Sequence, residues 1–152
     1  MPLEPGTDAP TVTAPNQHGE SVAPSFDQPT VLYFYPEDGT PGCTTEATEF
    51  DRELETYRDA GVAVYGVSTD SVDSHAAFAA AHGIEFDLLA DPDGTVAAAF
   101  DVDRRSTGEA ARTTFVVVDG EVYDVYTGVT PDGHARDVLG DLLDDGVVDL
   151  DL

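Results

Sequence analysis

The apolar pattern of this chain predicts an α/β fold with a mixed central sheet and helices on both faces. Three observations carry that reading. Residues 30–35, Thr-Val-Leu-Tyr-Phe-Tyr, form an unbroken β-branched and aromatic run, as expected of a central strand buried on both sides. Strand-like and helix-period segments then alternate. Near the end, two β-rich segments flank Asp119-Gly120, a hairpin turn that brings in antiparallel pairing.

The elements follow in order. Residues 1–29 are rich in Pro, Gly and polar side chains, with short strand candidates at 11–13 and 20–22. After the central strand comes a turn-rich loop. Ala47, Phe50, Leu54 and Tyr57 then recur at spacings of three and four, one apolar face of a single helix ended by Gly61. Residues 62–68 read as a second buried strand. Ser71 caps a helix that runs to His82 and stops at Gly83. Residues 86–89 are a short strand. Asp91-Pro92-Asp93-Gly94 is a turn, and a short alanine-rich helix runs to Phe100. Residues 113–118 and 121–126 form the hairpin. Thr130-Pro131 opens a last helix whose Val138, Leu139, Leu142 and Leu143 face the core. This order of elements is that of the thioredoxin-like fold.

Composition narrows the function classes. A chain of 152 residues, 41% hydrophobic, suits one domain over residues 1–152. No window reaches the length of a membrane span, and the N-terminus has neither a basic nor an apolar leader segment, so a cytoplasmic protein off the membrane is expected. Six basic residues, all arginine, face 31 acidic ones, for a net charge of −25. The acidic charge is spread along a chain whose hydrophobic periodicity survives, which suggests adaptation to concentrated salt. At 1 M salt the screening length is only about 3 Å, so carboxylate repulsion is damped. Nucleic acid is not an expected partner, because no basic face exists to neutralise phosphates.

The chemistry centres on Cys43, the only cysteine. It lies in Tyr35-Pro36-Glu37-Asp38-Gly39-Thr40-Pro41-Gly42-Cys43-Thr44-Thr45-Glu46, between the central strand and the first helix. Backbone N–H groups and the helix dipole at such a place favour a thiolate, the nucleophilic form. The plain alternative for a lone cysteine is an inert buried side chain. One cysteine excludes an intrachain disulfide, a dithiol motif and a cysteine-rich zinc site. His18, His75, His82 and His134 show no metal-ligand spacing, and His75 and His82, two helical turns apart, suit a surface or core-edge role. No metal and no cofactor are expected. Asp91-x-Asp93-Gly94 lacks the later ligands of a calcium loop and reads as a turn. Arg104-Arg105 is the one basic dipeptide and reads as a solvated loop.

The spacing Pro36, Thr40, Cys43 resembles the Pro-x-x-x-Thr-x-x-Cys signature of the peroxiredoxins. Thr-Pro-Gly-Cys-Thr-x-Glu resembles the bacterioferritin-comigratory or peroxiredoxin Q branch in particular. Further resemblance runs nearly end to end: Gly6-Thr7-Asp8-Ala9-Pro10, Gly66-Val67-Ser68-Thr69-Asp70-Ser71, Leu88-Leu89-Ala90-Asp91-Pro92-Asp93-Gly94 and Arg112-Thr113-Thr114-Phe115-Val116. The resemblance implies a thioredoxin-like fold and a thiol-dependent peroxidase acting on hydrogen peroxide and alkyl hydroperoxides. It implies Cys43 as the nucleophile that becomes a sulfenic acid, Thr40 as a hydrogen-bonding partner of the peroxide, and Pro36 as a shield of the thiolate. It implies Arg112 as the cation that stabilises thiolate and transition state, and Glu46 as the residue orienting Arg112. The N–H groups of Gly42 and Cys43 could add an oxyanion-hole-like pair. Plainer roles stand beside these: Thr40 and Thr44 as helix caps, Pro36 as a strand terminator, Arg112 as a surface ion-pair residue, Glu46 as a carboxylate favoured by the helix dipole.

One departure matters. Many members of this branch carry a resolving cysteine five residues after the nucleophile, where this chain has Thr48. The sulfenate is therefore expected to need an external thiol, from thioredoxin, glutaredoxin or a small molecule. The segment 101–111 also looks shorter than is usual in that branch. A thioredoxin-fold redox sensor without efficient turnover is the rival reading, and the assembly is expected to be a monomer or a homodimer.

Overall fold

The computed structural model describes residues 2–148. Its centre is a five-stranded sheet of order β5-β4-β3-β6-β7, built from β3 (Thr30–Phe34), β4 (Ala63–Ser68), β5 (Asp87–Ala90), β6 (Thr113–Val118) and β7 (Glu121–Thr127). β3 pairs parallel with β4 and antiparallel with β6, so the mixed sheet changes direction at its middle strand. The apolar run dictates that place. Every residue of β3 is buried, because both faces of the strand are covered. Val31 and Tyr33 point into one core with α1 (Pro41–Arg52), α2 (Leu54–Asp59), α3 (Val72–His82) and α5 (His134–Asp144). Leu32 and Phe34 point into the other, with α4 (Thr95–Ala99) and the N-terminal residues Val12, Ala14 and Phe26. Helices thus lie on both faces, but the second face has one short helix and relies on the N-terminal segment.

Tyr33 stands opposite Gly66 in the β3–β4 register. A Cβ on Gly66 would come within 2.9 Å of the tyrosine ring and its hydroxyl, so only glycine leaves room for this ring in the core.

Several expected boundaries hold. The Ser71 hydroxyl accepts from Ser74 N at 3.1 Å, and Gly83 ends α3 with φ 66°. Asp119 and Gly120 both have positive φ, as the tight β6–β7 turn requires. Asp91 does more than turn the chain. Its carboxylate accepts from Val96 N and Ala97 N, at 2.9 and 3.0 Å, and so caps α4.

Four expectations need correction. The strand expected at 11–13 is β1 (Ala14–Pro15), paired with β2 (Ser21–Val22), because the Asn16 side chain accepts from His18 N and Glu20 N and fixes the turn later. The single helix through Tyr57 is interrupted at Glu53, where φ is −91° and ψ 1°. Ala47, Phe50, Leu54 and Tyr57 are nonetheless all buried, and no side-chain contact explains the interruption. The last helix opens at His134 rather than Thr130, since Gly133 takes φ 79° and His134 N turns back to Pro131 O. Strand β5 begins and ends one residue later than expected. Its outer edge is covered by Gln17, whose amide donates to Phe86 O and whose oxygen accepts from Leu88 N, both at 2.9 Å.

Candidate active site

The C-terminal end of β3 delivers the chain into the loop that ends at Cys43. Thr40 is the N-cap of α1 and Pro41 its first residue, where a missing N–H costs nothing. The first backbone bond of the helix runs from Thr44 N to Thr40 O at 2.9 Å. The N–H groups of Gly42 and Cys43 are therefore the two donors this helix end leaves without helical acceptors. Cys43 itself is buried, 1% exposed.

Arg112 arrives from the other side of β3, immediately before β6. Its Nη2 donates to Cys43 Sγ at 3.4 Å and its Nη1 to Glu46 Oε1 at 2.6 Å. The guanidinium passes so close to the helix start that a Cβ on Gly42 would lie 3.2 Å from Nη2 and 3.4 Å from Pro131 Cγ. A side chain at this position would press on the guanidinium by a few tenths of an ångström.

Glu46 is buried, and its Oε2 has no hydrogen-bond partner among the described residues. Burial pushes its carboxyl up to about 7, although the charge and hydrogen bond of Arg112 pull the other way. Burial opposes the charge on Arg112 too, but Glu46 and Cys43 outweigh it and hold its pKa above the usual arginine value.

Thr40 makes no side-chain cap bond. Its hydroxyl donates to Glu37 O at 2.9 Å, which leaves the oxygen free to accept. Pro36 is buried at the strand end. Pro41, Gly42, Thr45, Thr130, Pro131 and Asp132 line an open hollow of about 240 Å³ beside the helix start. Thr48 lies inside α1, its hydroxyl donating to Thr44 O and Thr45 O at 2.8 and 3.1 Å. Cys43, Arg112, Glu46 and Gly42 thus converge, with Thr40 on the approach.

The structure also places residues that the sequence did not single out. His75 is fully buried rather than at a core edge. Its Nδ1 is 2.7 Å from Asp38 Oδ2 and its Nε2 is 3.1 Å from Leu89 O. Asp70 closes the group, and ligand atoms of Asp38, Asp70 and His75 lie within 4.8 Å of one another. Those atoms are hydrogen-bonded within the protein. Asp38 also accepts from Tyr35 and Ser74, and Asp70 from Ser68 and from Asp38 N. Burial raises the Asp38 carboxyl, but bonds and charge from His75, with Tyr35 and Ser74, outweigh it and hold the group below the usual range. His134 pairs with Thr114 at 2.8 Å and is pushed down to about 4, mainly by burial. Arg104 spends its Nε on Gly108 O, at 2.6 Å, inside a small hairpin that orders the 101–111 segment.

Residues 5–125 match the family model described as AhpC/TSA family. A putative peroxiredoxin bcp of Coxiella burnetii is 39% identical over 153 residues, covering 93% of this chain and 100% of that one. The chain belongs to the AhpC/TSA family, as a peroxiredoxin of the Bcp/PrxQ type. The crystal structure of peroxidoxin BcpB from Mycobacterium tuberculosis superposes with a TM-score of 0.87 at 36% identity, covering 93% of this chain and 97% of that one. Xanthomonas campestris peroxiredoxin Q, solved as a cysteine-to-serine variant, gives a TM-score of 0.85 at 32% identity, covering 94% and 99%. The expected thioredoxin-like fold is therefore the fold of this peroxiredoxin. Peroxiredoxins are thiol-dependent peroxidases, and Cys43 is the one cysteine of this chain that can serve as the peroxidatic residue.

Proposed function

We propose that this peroxiredoxin reduces hydrogen peroxide and alkyl hydroperoxides with the constellation Cys43, Arg112, Thr40, Pro36, Gly42 and Glu46, and that an external thiol regenerates it. The Cys43 thiolate attacks one peroxide oxygen. An S–O bond forms, the O–O bond breaks, and the departing alkoxide or hydroxide takes a proton to leave as alcohol or water. The carrying observation is the Arg112 fork, which donates to Cys43 Sγ and is held from behind by Glu46. A charge-assisted donor at the sulfur suits the thiolate and the charge that develops along S–O–O. The N–H groups of Gly42 and Cys43 add donors at the same helix end. Thr40 has committed its proton to Glu37 O, so toward substrate it acts as acceptor for the peroxide O–H. Pro36, buried at the strand end, keeps water from the sulfur.

An alkyl substrate is supported by the open hollow at Pro41 and Pro131. Alkyl peroxide reduction is also named for the bacterioferritin comigratory protein of Xanthomonas campestris. The sulfenic acid has no second thiol in this chain. An external thiol, from thioredoxin, glutaredoxin or a small molecule, condenses with it to a mixed disulfide and water, and a second thiol releases Cys43.

The charge of −25 without lysine supports a protein of a salty cytoplasm, away from nucleic acid, and we infer a monomer or homodimer that does not enter membranes. No helix of the described residues is long and apolar enough to cross a membrane.

Stopped-flow oxidation by peroxide, with a screen of thiol reductants at molar potassium chloride, tests both readings. Cys43→Ser should lose the reaction and keep the fold. A serine variant that still turns over would end the assignment. A melting temperature that is flat or falls from millimolar to molar salt would end the salt reading alone.

A further inference from the structure

We propose that His75 is a positioning residue for peroxide reduction: it holds Asp38, and through Asp38 the turn that presents Thr40. This rests on the role given to Thr40 above. His75 is on α3 and does not touch Cys43, so its effect must pass through the loop.

The geometry is a clamp on one residue. Asp38 is two residues before Thr40, in the turn whose Glu37 carbonyl accepts the Thr40 hydroxyl. Its carboxylate accepts from Tyr35 Oη at 2.7 Å, Ser74 Oγ at 2.9 Å and His75 Nδ1 at 2.7 Å. Its backbone N–H donates to Asp70 Oδ2 at 2.8 Å, and Asp70 is itself fixed by Ser68 Oγ at 2.7 Å. The turn is thereby tied to β3, to the β4–α3 connection and to α3. His75 is the keystone, because its second nitrogen faces Leu89 O of β5 at 3.1 Å. A carbonyl and a carboxylate can only accept, so each ring nitrogen faces an acceptor. The groups facing the ring are Asp38, Asp70, Tyr35 and the Leu89 carbonyl. A buried ring engaged at both ends gives the carboxylate one permitted position, and Gly39, at φ 81°, then turns the chain to Thr40.

The test compares two rate constants of the reduced protein. One is oxidation of Cys43 by hydrogen peroxide. The other is alkylation of Cys43 by iodoacetamide, which takes no help from Thr40. His75→Phe should lower the peroxide constant at least about tenfold, because sub-ångström misplacement of an activating group is costly, and leave alkylation within about twofold. His75→Gln, which keeps one donor, should fall between it and the wild type, and it carries the test alone if the phenylalanine variant does not fold. Thr40→Val, measured alongside, should show the same selective loss. If Thr40→Val loses peroxide reactivity while the His75 variants keep it, the clamp is refuted and Thr40's role stands. An equal fall in both constants for the His75 variants would mark general loosening of the helix start and also refute it. If Thr40→Val keeps the wild-type peroxide constant, Thr40's role falls and the clamp's route through it falls too.

Discussion

Two enclosed carboxylates flank the same active-site loop and titrate in opposite directions. Glu46, on the helix side, has one cationic partner and one bare oxygen, and burial pushes it up to about 7. Asp38, on the strand side, meets three side-chain donors, and they hold it below the usual range despite burial. Desolvation opposes the charge in both, and Asp38 combines shallower burial with more donors, which puts it on the other side. The difference teaches what each is for. Both oxygens of Asp38 are bonded, and a carboxylate held in that way fixes its backbone. Glu46 leaves one oxygen without a partner, next to the guanidinium that reaches Cys43.

Removing the cation breaks the comparison most severely. Arg112→Met should cut the second-order rate with peroxide by about 100- to 1,000-fold, the usual effect of losing one preorganised donor. It also strands Glu46, so denaturant unfolding should show a loss of about 3 kcal/mol or more at pH 8. That loss should shrink as pH falls through about 7, where Glu46 takes up a proton even with Arg112 in place. A stability loss independent of pH would mean that Glu46 is not charged in the folded protein.

The opposite titrations give opposite slopes. Between the ordinary glutamate value of 4.5 and about 7, folded Glu46 keeps a proton that the unfolded chain has released. Stability of the wild type relative to Glu46→Gln should therefore fall as pH rises through that window, by about 3 kcal/mol in total at about 1.4 kcal/mol per pKa unit. For Asp38 the unfolded chain binds the proton more readily. The advantage of the wild type over Asp38→Asn should be complete at neutral pH and be lost as pH falls below the ordinary aspartate value. Parallel slopes for the two variants, from unfolding curves over pH 3 to 8, would contradict the comparison.

A smaller effect sharpens it. Thr48 sits inside α1 with its hydroxyl bonded to Thr44 O and Thr45 O, so a thiol there meets Cys43 only if the helix start unwinds. Thr48→Cys should form the internal disulfide partially after one peroxide equivalent. Non-reducing electrophoresis with mass spectrometry reads it. A bridge that never forms would show a helix start too rigid to open.

The sequence made the reactive side of this comparison legible and hid the other. Cys43 stood out as a lone thiol at a helix start, while Thr40 and Arg112 came from the resemblance to the peroxiredoxin signature. Strand β3 stood out because a run buried on both faces has no polar alternation. The clamp stayed hidden because Asp38 and Asp70 are two among 31 acidic residues, and His75 pairs with Asp38 across 37 positions. The signal that could have found it is topological. Tyr35 to Asp38 and Ser68 to His75 follow the C-terminal ends of adjacent parallel strands, where loops must meet. The N-terminal hairpin and the start of α5 were misplaced for a local reason: Asn16 and Gly133 fix turns that apolar periodicity does not report.

On the proposed reading, Cys43 alone performs the oxidative half-reaction and depends on an outside thiol for the reductive half. The decisive measurement is one-equivalent peroxide oxidation of the thiol-free protein, with peroxide consumption and a dimedone adduct followed together. One sulfenic acid per chain should be trapped at Cys43, with no turnover until thiol is added and overoxidation under excess peroxide. Continued peroxide consumption without thiol, or a fast-reacting protein with no adduct at Cys43, would contradict it.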